Sequence, residues 1–406
     1  MNNKNEHQRG SFQAMCSILS ISLKQVICMK RSKLQCLMAG MTVMGAALAA
    51  LMAGAQAADT NPMLASAKAR LERPAEPAAS PERSMLFAVT KAGSRLVAVG
   101  EHGTVALSDD EGRIWRNAKV PVDVNLTGVA FADEHNGWAI GQMGVVLRTS
   151  DGGENWVKQL DGITAAQLIL DQARQQAAVL EPTARDDLLF RAQSLVSDGP
   201  DKPFLDVLVE DVKTVTVVGA FNLALHTNDG GATWAAFSQQ LDNPNGMHIY
   251  SLKRVSGGLM AAGEQGVLLS GQRDVSLKPL QSPYDGSFFG LLPLGQQRVL
   301  IYGLRGNAFV SDDAGVTWNK AAVPGSNNAT FNFAFLRSNG DILLLDQSGR
   351  GHVSHDEGRD FKTVDFEWGA PLTGAIETSN GDVVLTSLAG IVRIPAKTLA
   401  ATASKE

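Results

Sequence analysis

One sixteen-residue sentence is written again and again along this chain, and it constrains the fold more than any other feature. In residues 141–156 it reads GQMGVVLRTSDGGENW: a glycine-marked turn, a short β-branched run, a polar hairpin and a tryptophan. Copies stand at 100–115 (GEHGTVALSDDEGRIW), 219–234 (GAFNLALHTNDGGATW) and 303–318 (GLRGNAFVSDDAGVTW). A weaker copy, SHDEGRDF from Ser354, ends in Phe361, while GEQGVLLS from Gly263 and SLAGIVRI from Ser387 keep only the first half. A chain that repeats one short unit buries its apolar surface by stacking each copy on the next.

The turns begin at Gly100, Gly141, Gly219, Gly263, Gly303, Asp346 and Ser387, in steps of 41, 78, 44, 40, 43 and 41 residues. A spacing of about forty residues is that of a four-stranded propeller blade. The expected fold is therefore all-β, a seven-bladed β-propeller over 85–398 with Asp-box hairpins. One unit divides into strands at 126–132, 137–141, 145–150 and 156–160. The long step has a cause. Ala166, Leu170, Ala173, Ala177 and Leu180 recur at helical spacing, and after Pro182 so do Leu188, Ala192 and Leu195. This predicts a helical hairpin, 163–197, inserted between two blades and packed through its apolar stripe. The last unit runs out after its third strand. Residues 58–84, rich in Ala, Pro, Glu and Ser, read as a linker able to supply the missing outer strand and close the ring; 399–406 read as a tail.

The first 57 residues read as an export signal. Lys30, Arg31 and Lys33 precede an apolar run at 36–55, and Ala55 and Ala57 form an A-x-A site, so cleavage is expected between Ala57 and Ala58. Met29, directly before KRSK, reads as the true start. Cys16, Cys28 and Cys36 all precede the cleavage point, which leaves the exported chain no thiol, no disulfide, no cysteine metal site and no lipid attachment point. The remaining 30 basic and 40 acidic residues give it a charge of −10, which excludes a nucleic-acid partner. A periplasmic monomer without cofactor follows from this reading.

The pattern Ser/Thr-x-Asp-x-Gly-x-Thr/Asn-Trp is the Asp-box. Its carboxylates are Asp110, Asp151, Asp229, Asp313 and Asp356, and its aromatics Trp115, Trp156, Trp234, Trp318 and Phe361. A carboxylate in a tight hairpin accepts N–H groups of its own turn, so these residues read as turn staples. One Asp per blade does not assemble a calcium site, and no metal is expected. Because strands in a blade are antiparallel, these hairpins lie on the face opposite the blade-to-blade loops. Those loops, 198–204 (DGPDKPF), 241–250 (LDNPNGMHIY) and 282–290 (SPYDGSFFG), carry the aromatics and special-conformation residues. Partner binding is therefore expected around Lys202, Phe204, His248, Tyr250, Tyr284 and Arg305, with the two cations suited to an acidic loop of a partner. One of Phe288 and Phe289 is expected to be core.

Residues 131–156, FADEHNGWAIGQMGVVLRTSDGGENW, closely resemble the signature of the Ycf48/HCF136-like family, photosystem II assembly factors and their non-photosynthetic bacterial relatives. The resemblance covers about 85–395 and implies a seven-bladed Asp-box (BNR) propeller, exported and non-catalytic, that binds a membrane-protein partner. The helical insert departs from the photosynthetic members and looks like the branch of heterotrophic proteobacteria, often encoded beside RND-type (MMPL) exporters. A second function class also uses Asp-boxes: the sialidase-like glycoside hydrolases. These need a carboxylate pair, or a Tyr–Glu pair with an arginine cluster. Asp242, Asp285 and Glu264 are the acids that could share a face, whereas the RIP motif at 393–395 sits in the last blade.

Overall fold

In the computed structural model, which describes residues 62–400 apart from 296, 327 and 367, the strands form seven antiparallel sheets. Six have four strands and the last has three, and in every sheet the strands follow chain order. The inner strands are Leu86–Ala92, Leu126–Phe131, Phe204–Val209, Ile249–Val255, Phe288–Pro293, Phe331–Leu336 and Leu372–Glu377. They neighbour one another in cyclic order, the seventh meeting the first, so the sheets are the blades of a closed propeller. The leader and the cleavage point at Ala57 and Ala58 lie outside the described residues.

The second strands, such as Gly137–Gly141 or Val215–Gly219, are buried along their whole length, apart from Arg95 at the start of that of blade one. Blades pack on both its faces, which is why the sequence shows a continuous apolar run there rather than alternation. The apolar clusters accordingly lie between blades. Val97, Val99 and Leu107 of blade one pack with Leu126, Ala139 and Leu147 of blade two, and Leu86, Leu96 and Ala98 pack with Val384 of blade seven. The Asp-box tryptophan is mortar to the preceding blade: Trp156 joins the one–two cluster and Trp115 the seven–one cluster.

Ring closure differs from the expected fourth strand. Pro62–Glu72 is a helix, α1, whose Leu71 is buried among Val120, Val122 and Val124 at the junction of blades one and two. The run MLASAKARL has good helix formers and no two-residue alternation, so it has no strand face to offer. Side chains join blade seven to blade one instead. Thr373 Oγ1 donates to the Leu86 carbonyl at 2.7 Å, Glu111 accepts the Ser379 N–H at 2.8 Å, and Arg393 donates to the Glu111 carbonyl at 3.0 Å.

The insert is the expected hairpin, α2 (Gly162–Ala177) and α3 (Pro182–Asp198). Asp161 starts it with a capping box, accepting Ile163 N and Thr164 N while its own N–H donates to Thr164 Oγ1 at 3.0 Å. Ala166, Leu170, Ala173 and Ala177 are buried as the period predicts, together with Ala165 and Ile169. Leu180 is exposed, because α2 ends at Ala177 and the helical period ends with it. A short last helix, α4 (Ala396–Ala400), buries Leu399 among Leu343, Val353 and Leu385.

The Asp-boxes are closed on themselves. In blade three, Thr227 Oγ1 donates to Asp229 Oδ1 at 2.8 Å, the Gly231 N–H donates to Thr227 Oγ1 at 2.9 Å, and the Thr233 N–H donates to Asp229 Oδ1 at 2.9 Å. Blades one, two, five and six repeat this network around Asp110, Asp151, Asp313 and Asp356. The glycine of each box takes φ between 81° and 92°. The hydroxyl and N–H of Thr233 hold the Asp229 carboxyl at about 2 against its ordinary 3.8, and Thr317 does the same for Asp313. A carboxylate depressed by folding stabilises the fold fully above its unfolded value and loses that contribution as pH falls through its folded one. Stability is therefore expected to drop between about pH 4 and pH 2, with Asp229→Asn and Asp313→Asn together flattening that limb in acid titrations followed by circular dichroism. An unchanged acid limb in the double variant contradicts the staple.

Candidate functional site

The face carrying the blade-to-blade loops also carries the turns after each second strand, since the end of that strand pairs with the start of the inner one; Gly141 lies opposite Leu126. The Asp-boxes occupy the opposite face. The turns build this mouth of the ring in columns of equivalent residues.

The first column is glycine. A Cβ on Gly100, Gly141, Gly219, Gly263 or Gly303 would overlap the carbonyl oxygen of Met85, Asn125, Pro203, His248 or Ser287, the residue before each inner strand. That carbonyl accepts the N–H of the residue after the glycine at 2.9–3.0 Å in all five blades. The third column is left-handed without being glycine: His102, Met143, Phe221, Gln265 and Arg305 have φ of 50–58°. Such a backbone costs an L-residue about 1–2 kcal/mol, so the side chain is presented at the expense of strain.

A further column lies in the inner strands. Every one has a register break at its second residue, so that Phe87, Thr127, Leu205, Tyr250, Phe289, Asn332 and Thr373 fall at a bulge in the strand register. The three polar ones bridge to the first carbonyl of the next inner strand: Thr127 to Phe204 at 2.6 Å, Asn332 to Leu372 at 3.1 Å and Thr373 to Leu86 at 2.7 Å. In blades three to five the column is apolar, with Leu205, Tyr250 and Phe289 in succession.

These columns meet in one aromatic run. The Phe221 and His248 rings are 4.6 Å apart, His248 stacks on Tyr250 at 6.0 Å and 21°, and Tyr250 meets the edge of Phe289 at 5.0 Å. His248 Nδ1 is held by Glu264 Oε2 at 2.6 Å, which fixes the ring. Lys202 Nζ stands 5.6 Å over Phe221. Phe221 is 58% exposed, and His248, Tyr250 and Phe289 are half-buried.

Of the expected site residues, His248, Tyr250 and Lys202 come together here. Lys202 is not a free cation: Asp198 and Asp201 hold its ammonium at 3.1 and 2.7 Å. Phe204 is fully buried between blades two and three, since the first residue of every inner strand is a core position. Tyr284 packs its edge on buried Phe288 and belongs with the four–five core. Arg305 is exposed but stands apart, beside Lys320, Ser326 and Asn328 at the next blade junction. Phe289 is the outer member of the Phe288–Phe289 pair. Phe221 was missed, although its place in the third turn column marks it. Of the three acids weighed for a hydrolytic pair, Asp242 is engaged with Lys278 at 3.3 Å and Glu264 with His248, and Asp285 is exposed.

The closed ring, the repeated boxes and the presented turns define an Asp-box seven-bladed propeller. The family model for photosynthesis system II assembly factor YCF48 matches residues 107–172, from the third strand of blade one into α2. The photosystem II assembly lipoprotein Ycf48 of Synechococcus sp. (strain CC9902) is 25% identical over 281 residues, 65% of this chain and 70% of that relative. Two solved propellers share the fold. YCF48 bound to D1 peptide superposes with a TM-score of 0.56 at 16% identity, covering 79% of this chain and 95% of that one. YCF48 from Cyanidioschyzon merolae gives 0.57 at 14% identity, covering 79% and 99%. Over these spans the chain is similar to Ycf48, and it shares the propeller fold of the two solved YCF48 structures.

Proposed function

We propose that this chain is an exported, non-catalytic propeller that holds a segment of a membrane-protein partner on the mouth face, with Phe221, His248, Tyr250 and Phe289 as the contact surface. The observation that carries this is the open aromatic run, one ring of which sits on a left-handed turn that costs stability. A Ycf48 propeller solved with a D1 peptide supports a protein segment as the kind of ligand. The partner is read as a membrane complex that the chain helps to assemble, and an RND/MMPL-type exporter is the partner that the resemblance of the insert implies. A glycoside hydrolase is the weaker reading, because Asp242 and Glu264 are each engaged with a different basic partner. Tagged protein should retain a membrane protein from solubilised envelopes, and Phe221→Gly with Tyr250→Ala should lose it; retention by the double variant overturns the proposal.

The setting is proposed to be the periplasm. Among the described residues no helix is long and apolar enough to cross a membrane. Mass spectrometry of periplasmic material is expected to find Ala58 at the N-terminus, and an intact leader held in the inner membrane contradicts cleavage.

A further inference from the structure

A cleft of about 810 Å³ opens between α3 and the loop 241–246, with Phe221 as a wall shared with the aromatic run. Leu188, Leu195, Leu223 and Leu241 supply its apolar lining. Phe190, also on the cleft, is 69% exposed. Large apolar side chains left in water beside a concave surface are anchor points for a ligand. The walls are tied together: Arg191 Nη1 donates to the Pro244 carbonyl at 2.9 Å, and the Ala236 N–H donates to Gln172 Oε1 at 2.8 Å.

Charge decides the occupant. Asp187, Asp198, Asp201 and Asp242 line the cleft against Arg191, Lys202 and Lys278, a surplus of one negative charge. Each of these cations is already held: Arg191 by Asp187 at 2.9 Å, Lys202 by Asp198 and Asp201, and Lys278 by Asp242. An incoming carboxylate would meet carboxylates and no available cation among these residues, whereas a lysine or arginine would complete the pairing.

We propose that this cleft takes an apolar side chain of a partner-protein segment flanked by Lys or Arg, the rest of the segment lying along the aromatic run. This rests on the peptide-binding reading above and reverses the acidic partner loop expected from the sequence.

The test uses a random peptide library displayed on phage and selected on the immobilised protein. Enriched sequences should carry Leu or an aromatic beside Lys or Arg. A synthetic copy should lose about tenfold in affinity on Phe190→Ser, a solvent-exposed change. Asp198→Asn with Asp201→Asn releases Lys202 and should shift the preference toward acidic flanks, which loss of packing alone would not do. Acidic flanks selected by the wild-type protein overturn the proposal. Peptides that respond to Tyr250→Ala but not to Phe190→Ser overturn the cleft and leave the aromatic run as the site. Enrichment no greater than on a bare surface overturns both.

Discussion

Gly141→Ala is expected to cost about 3 kcal/mol of stability although it adds one methyl group and removes nothing. The cause is not backbone strain, because Gly141 has φ of −163°, an extended conformation open to any residue. The added Cβ would overlap the Asn125 carbonyl and crowd the Leu126 Cα. Both are backbone, and both are fixed: the carbonyl accepts the Gln142 N–H at 2.9 Å, and Leu126 is fully buried at the start of an inner strand. Neither can yield without breaking the contact that sets the mouth of blade two. Urea unfolding checks this. A loss under about 0.5 kcal/mol, the scatter of an ordinary surface change, would show that the glycine column is not a packing requirement.

Phe221→Gly combined with Tyr250→Ala is expected to weaken partner binding by about a hundredfold or more, two anchor side chains being removed. The same pair should unfold close to the wild type. Glycine at 221 relieves a left-handed backbone that costs an L-residue about 1–2 kcal/mol and gives back roughly 0.5–1 kcal/mol through the entropy of the unfolded chain. Phe221 is mostly exposed and Tyr250 sits at a bulge outside the strand register, so little core packing is lost. Affinity and unfolding measured on one preparation separate recognition from folding. Full binding by a folded double variant would remove the aromatic run from the account.

Much of the architecture was legible because propeller blades repeat their constraints locally. The glycine of the turn, the Asp of the hairpin and the tryptophan after it mark three points of blades one, two, three and five, and the hairpin insert announces itself through the helical spacing of its apolar residues and through Pro182. Closure was not legible. Counting strands suggested a fourth for blade seven, but the join is made by Thr373, Glu111 and Arg393, whose partners are hundreds of residues away. The site was half legible. His248 and Tyr250 stood out as aromatics in a loop, yet Phe204 stood in the same kind of loop and is core, because one residue separates connection from inner strand. Lys202 looked like an available charge; Asp198 at the end of α3 and the adjacent Asp201 cancel that charge. Phe221 was hidden by its neighbours' variety: its turn column holds His, Met, Phe, Gln and Arg, so its position marks it only once their shared left-handed φ shows the column to have a common task.

The claim at the centre of this account is that recognition belongs to the mouth face and not to the Asp-box face. Site-specific photo-crosslinking in cells compares them directly, with a photoreactive amino acid at Phe221 in one strain and at Val316, 70% exposed within the Asp-box of blade five, in another. The account predicts one defined membrane-protein adduct from position 221, identified by mass spectrometry and abolished by Tyr250→Ala, with none from position 316. The same adduct formed from position 316 and absent from 221 would contradict it.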